Sequence, residues 1–107
     1  MSDDLVIERR GVGDRQYLEI RGTLDADRVE QLAHEGYEAI CAGSSVEVRL
    51  AGVTSIDLTG ALGLVALARE ASDRDVAFQI EGYPARLQTL LEEQDLWSVI
   101  TGEDDQP

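Results

Sequence analysis

The sequence predicts an α/β domain with a mixed central β-sheet, an N-terminal hairpin and α-helices packed against it. Three observations carry this. Two short alternating segments, Leu5–Arg9 and Gln16–Arg21, flank a glycine-rich turn. Two further alternating segments, Val46–Leu50 and Val76–Ile80, each follow a stretch of helical period. Strand–helix–strand connections of this length imply parallel pairing and right-handed crossovers. The expected order is β-β-α-β-α-β-α, with room for a small final strand.

Each element has its own signal. Leu5 and Ile7 share one face of the first strand. Gly11-Val12-Gly13-Asp14 reads as the turn, because glycine and Asp tolerate positive φ. In the second strand Tyr17, Glu19 and Arg21 alternate with Leu18 and Ile20. Gly22-Thr23-Leu24-Asp25 breaks that pattern, and Asp25 is the expected N-cap of a helix from about Ala26 to Ala42. Val29, Leu32, Ala33, Ala39 and Ile40 form its apolar stripe, Gly36 weakens it, and Gly43-Ser44-Ser45 ends it.

The third strand sets Val46, Val48 and Leu50 against Glu47 and Arg49, and Ala51–Ile56 continues as an extended connection. Asp57-Leu58-Thr59-Gly60 precedes a helix from Gly60 or Ala61 to Ala71. Its segment Ala61–Ala68 is apolar almost all round, which predicts burial between the sheet and another helix. Asp57 or Thr59 is the expected cap. After the polar loop Ser72–Asp75, Val76, Phe78 and Ile80 share one face of the fourth strand. Pro84 starts the next helix, where a missing N–H costs nothing, and Leu87, Leu90 and Leu91 form its buried stripe. Leu96, Trp97, Val99 and Ile100 form a short terminal apolar element. Residues 1–107 read as one domain, with frayed ends at 1–4 and 102–107.

Composition narrows the function. Nine basic against 22 acidic side chains give a formal net charge of −13, and all nine bases are arginine. Such a chain repels phosphate backbones and anionic lipid surfaces, which argues against nucleic acid or membrane as partner. Hydrophobic residues make up 43%, as in globular domains. No apolar run is long enough to span a membrane and no signal-peptide pattern is visible, so a cytoplasmic location is expected. Cys41 is the single cysteine, expected as a buried thiol, and His34 the single histidine, expected partly exposed. Together they are too few for a Cys/His zinc site. On one helix they are separated by roughly 10 Å of rise, too far for a nucleophile–base pair. Gly11-Val12-Gly13 lacks the rest of a dinucleotide fingerprint, and no lysine exists to complete a phosphate-binding loop. Neither a catalytic motif nor a cofactor or metal site is expected.

Gly22-Thr23-Leu24-Asp25 before a helix, Val53 to Leu64 (VTSIDLTGALGL), and Gly82-Tyr83-Pro84-Ala85-Arg86-Leu87 followed by Leu90-Leu91 and Leu96 resemble a known pattern. They are similar, in the same order and over nearly the whole chain, to the STAS domain of bacterial anti-sigma factor antagonists. The resemblance implies a non-enzymatic module that binds a kinase-fold anti-sigma factor. Its surface would comprise Asp25, the Asp57–Gly60 loop (Asp57, Leu58, Thr59, Gly60) and Leu62 at the helix start. In that family a kinase phosphorylates the hydroxyl residue directly after the Asp and so abolishes binding. Here that position is Leu58, so the standard switch is not expected. Thr59, one residue on, is the remaining candidate for phosphorylation. Leu58 is either an apolar anchor for a partner or a contact packed back on Leu62. The alternatives are a STAS subunit of a lipid-type ABC transporter resting on its ATPase, or a subunit of a stress-sensing assembly.

Overall fold

The computed structural model describes residues 4–101 of the chain. Of the expected frayed ends, residues 1–3 and 102–107 lie outside the described residues; Asp4 is exposed and faces Arg28 at 3.6 Å. The alternating segments form strands β1 (Val6–Val12), β2 (Arg15–Leu24), β3 (Ser45–Ile56) and β4 (Ala77–Glu81), in the sheet order β1-β2-β3-β4. β1 and β2 are the antiparallel hairpin, running from Val6 opposite Arg21 to Val12 opposite Arg15. The turn is shorter than expected. Gly11 and Val12 belong to the ladder, and only Gly13 and Asp14 reverse the chain, with Gly13 at φ +61°. β2–β3 and β3–β4 are parallel, as the crossover lengths require.

β3 is twelve residues long because it includes the stretch expected as a connection. Its buried residues are Val46, Val48, Leu50, Val53 and Ile56, so the spacing changes from two to three after Leu50. The β2–β3 register slips at two places, each adding a residue on β3: Glu19–Arg21 spans Arg49–Gly52, and Gly22–Thr23 spans Val53–Ser55. A bulge shifts the side-chain alternation by one residue. Two bulges keep Leu50, Val53 and Ile56 facing the core, and they also erase the period that marks a strand in sequence.

Helix α1 (Val29–Ala42) starts three residues later than expected. Its N-cap position is Arg28, without a side-chain cap bond, so Asp25 is not the cap. Leu32, Gly36, Ala39 and Ile40 are buried, whereas Ala33 is exposed. Gly36 is an interior contact and no weak point: a Cβ there would collide with the Leu67 side chain of α2 (Leu58–Asp73). Cys41 is exposed and not buried, because it faces away from that contact; His34 is exposed as well.

Helix α2 begins earlier than expected, so Leu58 and Thr59 are its first turn and not a loop. It buries Gly60, Ala61, Leu64, Val65, Leu67, Ala68 and Ala71, but leaves Leu62 and Ala66 exposed. Pro84 occupies the N-cap position of α3 (Ala85–Glu93), with Leu87 and Leu91 buried and Leu90 half-buried. The terminal apolar element is a helix, α4 (Trp97–Thr101), and not a final strand. Ile100 is buried in it, and Trp97 meets the Tyr83 ring edge-on at 5.0 Å.

One sheet face joins these helices in the core, while Glu8, Arg10, Tyr17, Glu19, Arg21, Glu47, Arg49, Gln79 and Glu81 occupy the other. Leu64 of α2 is completely buried in that core. Leu64→Ala is expected to cost about 2–5 kcal/mol, the range for emptying a packed leucine site. Urea unfolding measures this as a lower midpoint at unchanged slope.

Candidate partner-binding site

The parallel strands β2, β3 and β4 end on the same edge of the sheet, where three connections meet: residues 25–28, Asp57, and residues 82–84. This is the edge at which open α/β sheets tend to bind ligands and partners. Asp57 organises it. Its Oδ1 accepts from the Gly60 N–H at 2.8 Å, capping α2, and its Oδ2 accepts from the Ala26 N–H at 3.3 Å. Its own N–H donates to the Leu24 carbonyl at 3.2 Å, and its carbonyl accepts from Ala61 N–H at 2.9 Å. Asp57, not Thr59, is therefore the cap, and it also ties the β2 exit to the α2 start.

The other residues divide into support and surface. Gly60 is buried: a Cβ there would collide with the backbone carbonyl oxygen of Leu24, so it allows close approach and presents no side chain. Asp25 is half-buried. Its Oδ1 accepts from Asp27 N–H at 3.1 Å and its carboxylate pairs with Arg28 Nη1 at 3.0 Å. That hydrogen bond raises the Arg28 pKa above its ordinary value; burial works against it, and the charges of Asp25 and Asp4 add to it. Arg86 donates from Nε to the Ile56 carbonyl at 3.0 Å, fastening α3 to the residue before Asp57. Arg28, Ala26 and Arg86 were absent from the sequence-derived site. Ala26 bonds through a backbone N–H and Arg86 to a carbonyl thirty residues away, and no local pattern signals either; Arg28 pairs with Asp25 at the local i,i+3 spacing.

The surface is apolar. Leu58 is 36% exposed and Leu62 is 39% exposed, four residues apart on the same side of α2. Thr59 is exposed between them in sequence. Asp25, Asp27 and Glu30 lie on the neighbouring connection and helix start, an acidic border to two leucines. A groove of about 390 Å³ lies elsewhere, on the open sheet face among Glu8, Arg10, Tyr17, Glu19 and Arg49. Among the described residues, no group of three or more His, Cys, Asp or Glu is placed to hold a metal ion.

Three substitutions at two positions test the cap and the close approach beside it. Asp57→Ala removes both carboxylate bonds and is expected to cost about 1–2 kcal/mol, the range for a lost N-cap, while Asp57→Asn keeps an acceptor and costs less. Gly60→Ala is expected to destabilise by about 1–3 kcal/mol despite the better helix propensity of alanine, because a backbone carbonyl blocks the added methyl. Thermal and urea unfolding of the three variants checks the order.

Comparison with known proteins gives the same fold. The structure is similar to the anti-sigma factor antagonist SpoIIAA in its unphosphorylated form, at 17% identity and a TM-score of 0.69, covering 86% of this chain and 83% of that one. It is similar to an anti-sigma factor antagonist from Mycobacterium paratuberculosis at 13% identity and a TM-score of 0.69, covering 94% and 98%. A variant of RsbS from Moorella thermoacetica matches at 26% identity and a TM-score of 0.68, covering 80% and 75%. No curated protein matches the sequence. The family model described as "Mlab, STAS domain" matches residues 7–101, and the chain therefore belongs to the STAS domain family.

Proposed function

We propose that the chain is a non-enzymatic interaction module of the anti-sigma factor antagonist kind. It presents Leu58, Thr59 and Leu62, braced by Asp57, Gly60 and Asp25, to a kinase-fold anti-sigma factor in the cytoplasm. The observation that carries this is the exposed leucine pair on a helix start locked to the sheet by the Asp57 carboxylate. The likeness to SpoIIAA and RsbS supports the reading. Leu58 has no hydroxyl, so partner binding is not gated by phosphorylation at that position. Thr59 carries the one hydroxyl in the first turn of α2 and is the residue left to accept a phosphate. A phosphate there would meet the favourable helix N-terminus and the opposing charge of Asp57 at once.

A second reading is a STAS subunit of a lipid-type ABC transporter resting on its ATPase, which membership of the STAS domain family accommodates equally. Both readings use the same surface with different partners. No cofactor and no catalytic step enters either.

Affinity purification of the tagged chain from its native cells, read by mass spectrometry, separates them. Recovery of an anti-sigma factor or sigma regulator supports the first reading, and recovery of a transporter ATPase the second. In either case Leu58→Asp is expected to weaken partner binding about tenfold or more, as for a buried apolar anchor. Its unfolding midpoint should stay near wild type, because an acidic residue suits the first turn of a helix. Full affinity retained in Leu58→Asp places the interface elsewhere.

A further inference from the structure

β1 ends the sheet, and among the described residues β2 is its only ladder partner. An unpaired edge presents a row of N–H and C=O groups to any other strand, and proteins usually blunt it with charged side chains, Pro, a bulge or a covering element. β1 (VIERRGV) has no Pro, and its seven pairs with β2 run without a register shift; its charges, Glu8, Arg9 and Arg10, are of both signs, so they repel some registers and match others. Arg9, on the helix side, is engaged by Glu35 at 3.9 Å and Glu38 at 3.6 Å of α1. Val6 and Val12, at the two ends of β1, are 42% and 60% exposed.

The residue order of this strand is complementary to itself. Antiparallel pairing centred on Arg9 sets Glu8 opposite Arg10 of a second copy, and Arg10 opposite Glu8 of that copy. The same register sets Val6 opposite Val12 twice, covering both exposed valines. It also relieves a local conflict. Within the hairpin Glu8 stands opposite Glu19, a like-charge pair in which Glu8 meets Arg21 at 3.4 Å and Glu19 lies in the field of Arg49. An arginine arriving from the other side adds a further counter-charge to Glu8.

We propose that β1 pairs with β1 of a second copy of this chain in the register centred on Arg9, joining two four-stranded sheets into one of eight. A single strand edge buries less than the roughly 1,200 Å² of stable interfaces. Two copies of charge −13 also repel. The dimer is therefore weak and favoured by high protein concentration and by salt that screens the net charge.

Sedimentation equilibrium of the untagged chain, from micromolar to millimolar concentration in moderate salt, tests it. Wild type is expected to self-associate. Glu8→Arg and Arg10→Glu each set like charges opposite one another twice and are expected to weaken association about tenfold or more. Mixing the two variants places every new Arg against a Glu, so the mixture is expected to recover association near wild type. Val12→Lys is a further probe at an exposed site and is expected to weaken association. Circular dichroism and melting temperature establish that each variant is folded. A wild-type monomer at every concentration overturns the proposal. So does a mixture that associates no better than its components, or association untouched by all three substitutions.

Discussion

The carboxylate of Asp57 holds together the strand-end edge of the sheet, where the proposed partner surface lies. One oxygen caps α2 and the other reaches the backbone of Ala26, thirty-one residues earlier. The Asp57 N–H returns to the Leu24 carbonyl, and Gly60 lies so close to that same carbonyl that no side chain fits. Arg86 closes the arrangement from α3 by donating to the Ile56 carbonyl. The ends of β2 and β3 and the starts of α2 and α3 are thus one connected unit. A shift in any of them breaks a bond in a half-buried setting, where unmet polar groups are costly.

Rigidity follows from the packing as much as from the bonds. α2 buries residues along most of its length, from Gly60 to Ala71, and a Gly36 with no side chain lets Leu67 settle against α1. Such a helix cannot tilt without opening the core. Leu58 and Leu62 are therefore displayed in a fixed geometry, and a partner that covers them has little ordering to impose on this side of the interface. The same fixity bears on the proposed phosphorylation of Thr59. A charge added at Thr59 acts where it stands, through bulk and repulsion in a packed contact, and need not rearrange the fold.

Most of the fold was legible in the sequence, and the misreadings have common causes. Strands with strict alternation, such as Val46-Glu47-Val48-Arg49-Leu50, were plain. The continuation of β3 to Ile56 was hidden because two bulges replace the two-residue period with a three-residue one. Helix starts were misplaced where a carboxylate signals a cap but tertiary structure decides which one acts. Asp57 caps α2, whereas the similar Asp25 spends its oxygens on Asp27 and Arg28. Gly36 looked like a weak point because helix propensity counts only the isolated helix. The terminal apolar residues gave no period in so short a segment, so helix and strand could not be told apart. At the site, Asp57 and Leu58 were visible through the family pattern. The bonds from Ala26 and Arg86 were not, since they depend on elements brought together only by the fold.

The distribution of charge gives the acidity a sharper meaning than its total. The open sheet face carries Arg10, Arg15, Arg21 and Arg49 against Glu8, Glu19, Glu47 and Glu81, and so is neutral. The whole net charge of −13 then lies on the helices, connections and ends. Four of nine arginines are spent where strands meet, and Arg49 also stacks over Tyr17 at 4.9 Å. The field of the molecule is consequently one-sided. Such a field favours the approach of a basic surface to the helical side and the strand-end edge, where the proposed contact residues Leu58 and Leu62 are exposed. The neutral sheet face takes no part in that steering. The acidic field and the proposed apolar contact thus fall on the same side, with the Asp57 bridge holding the start of α2 in place.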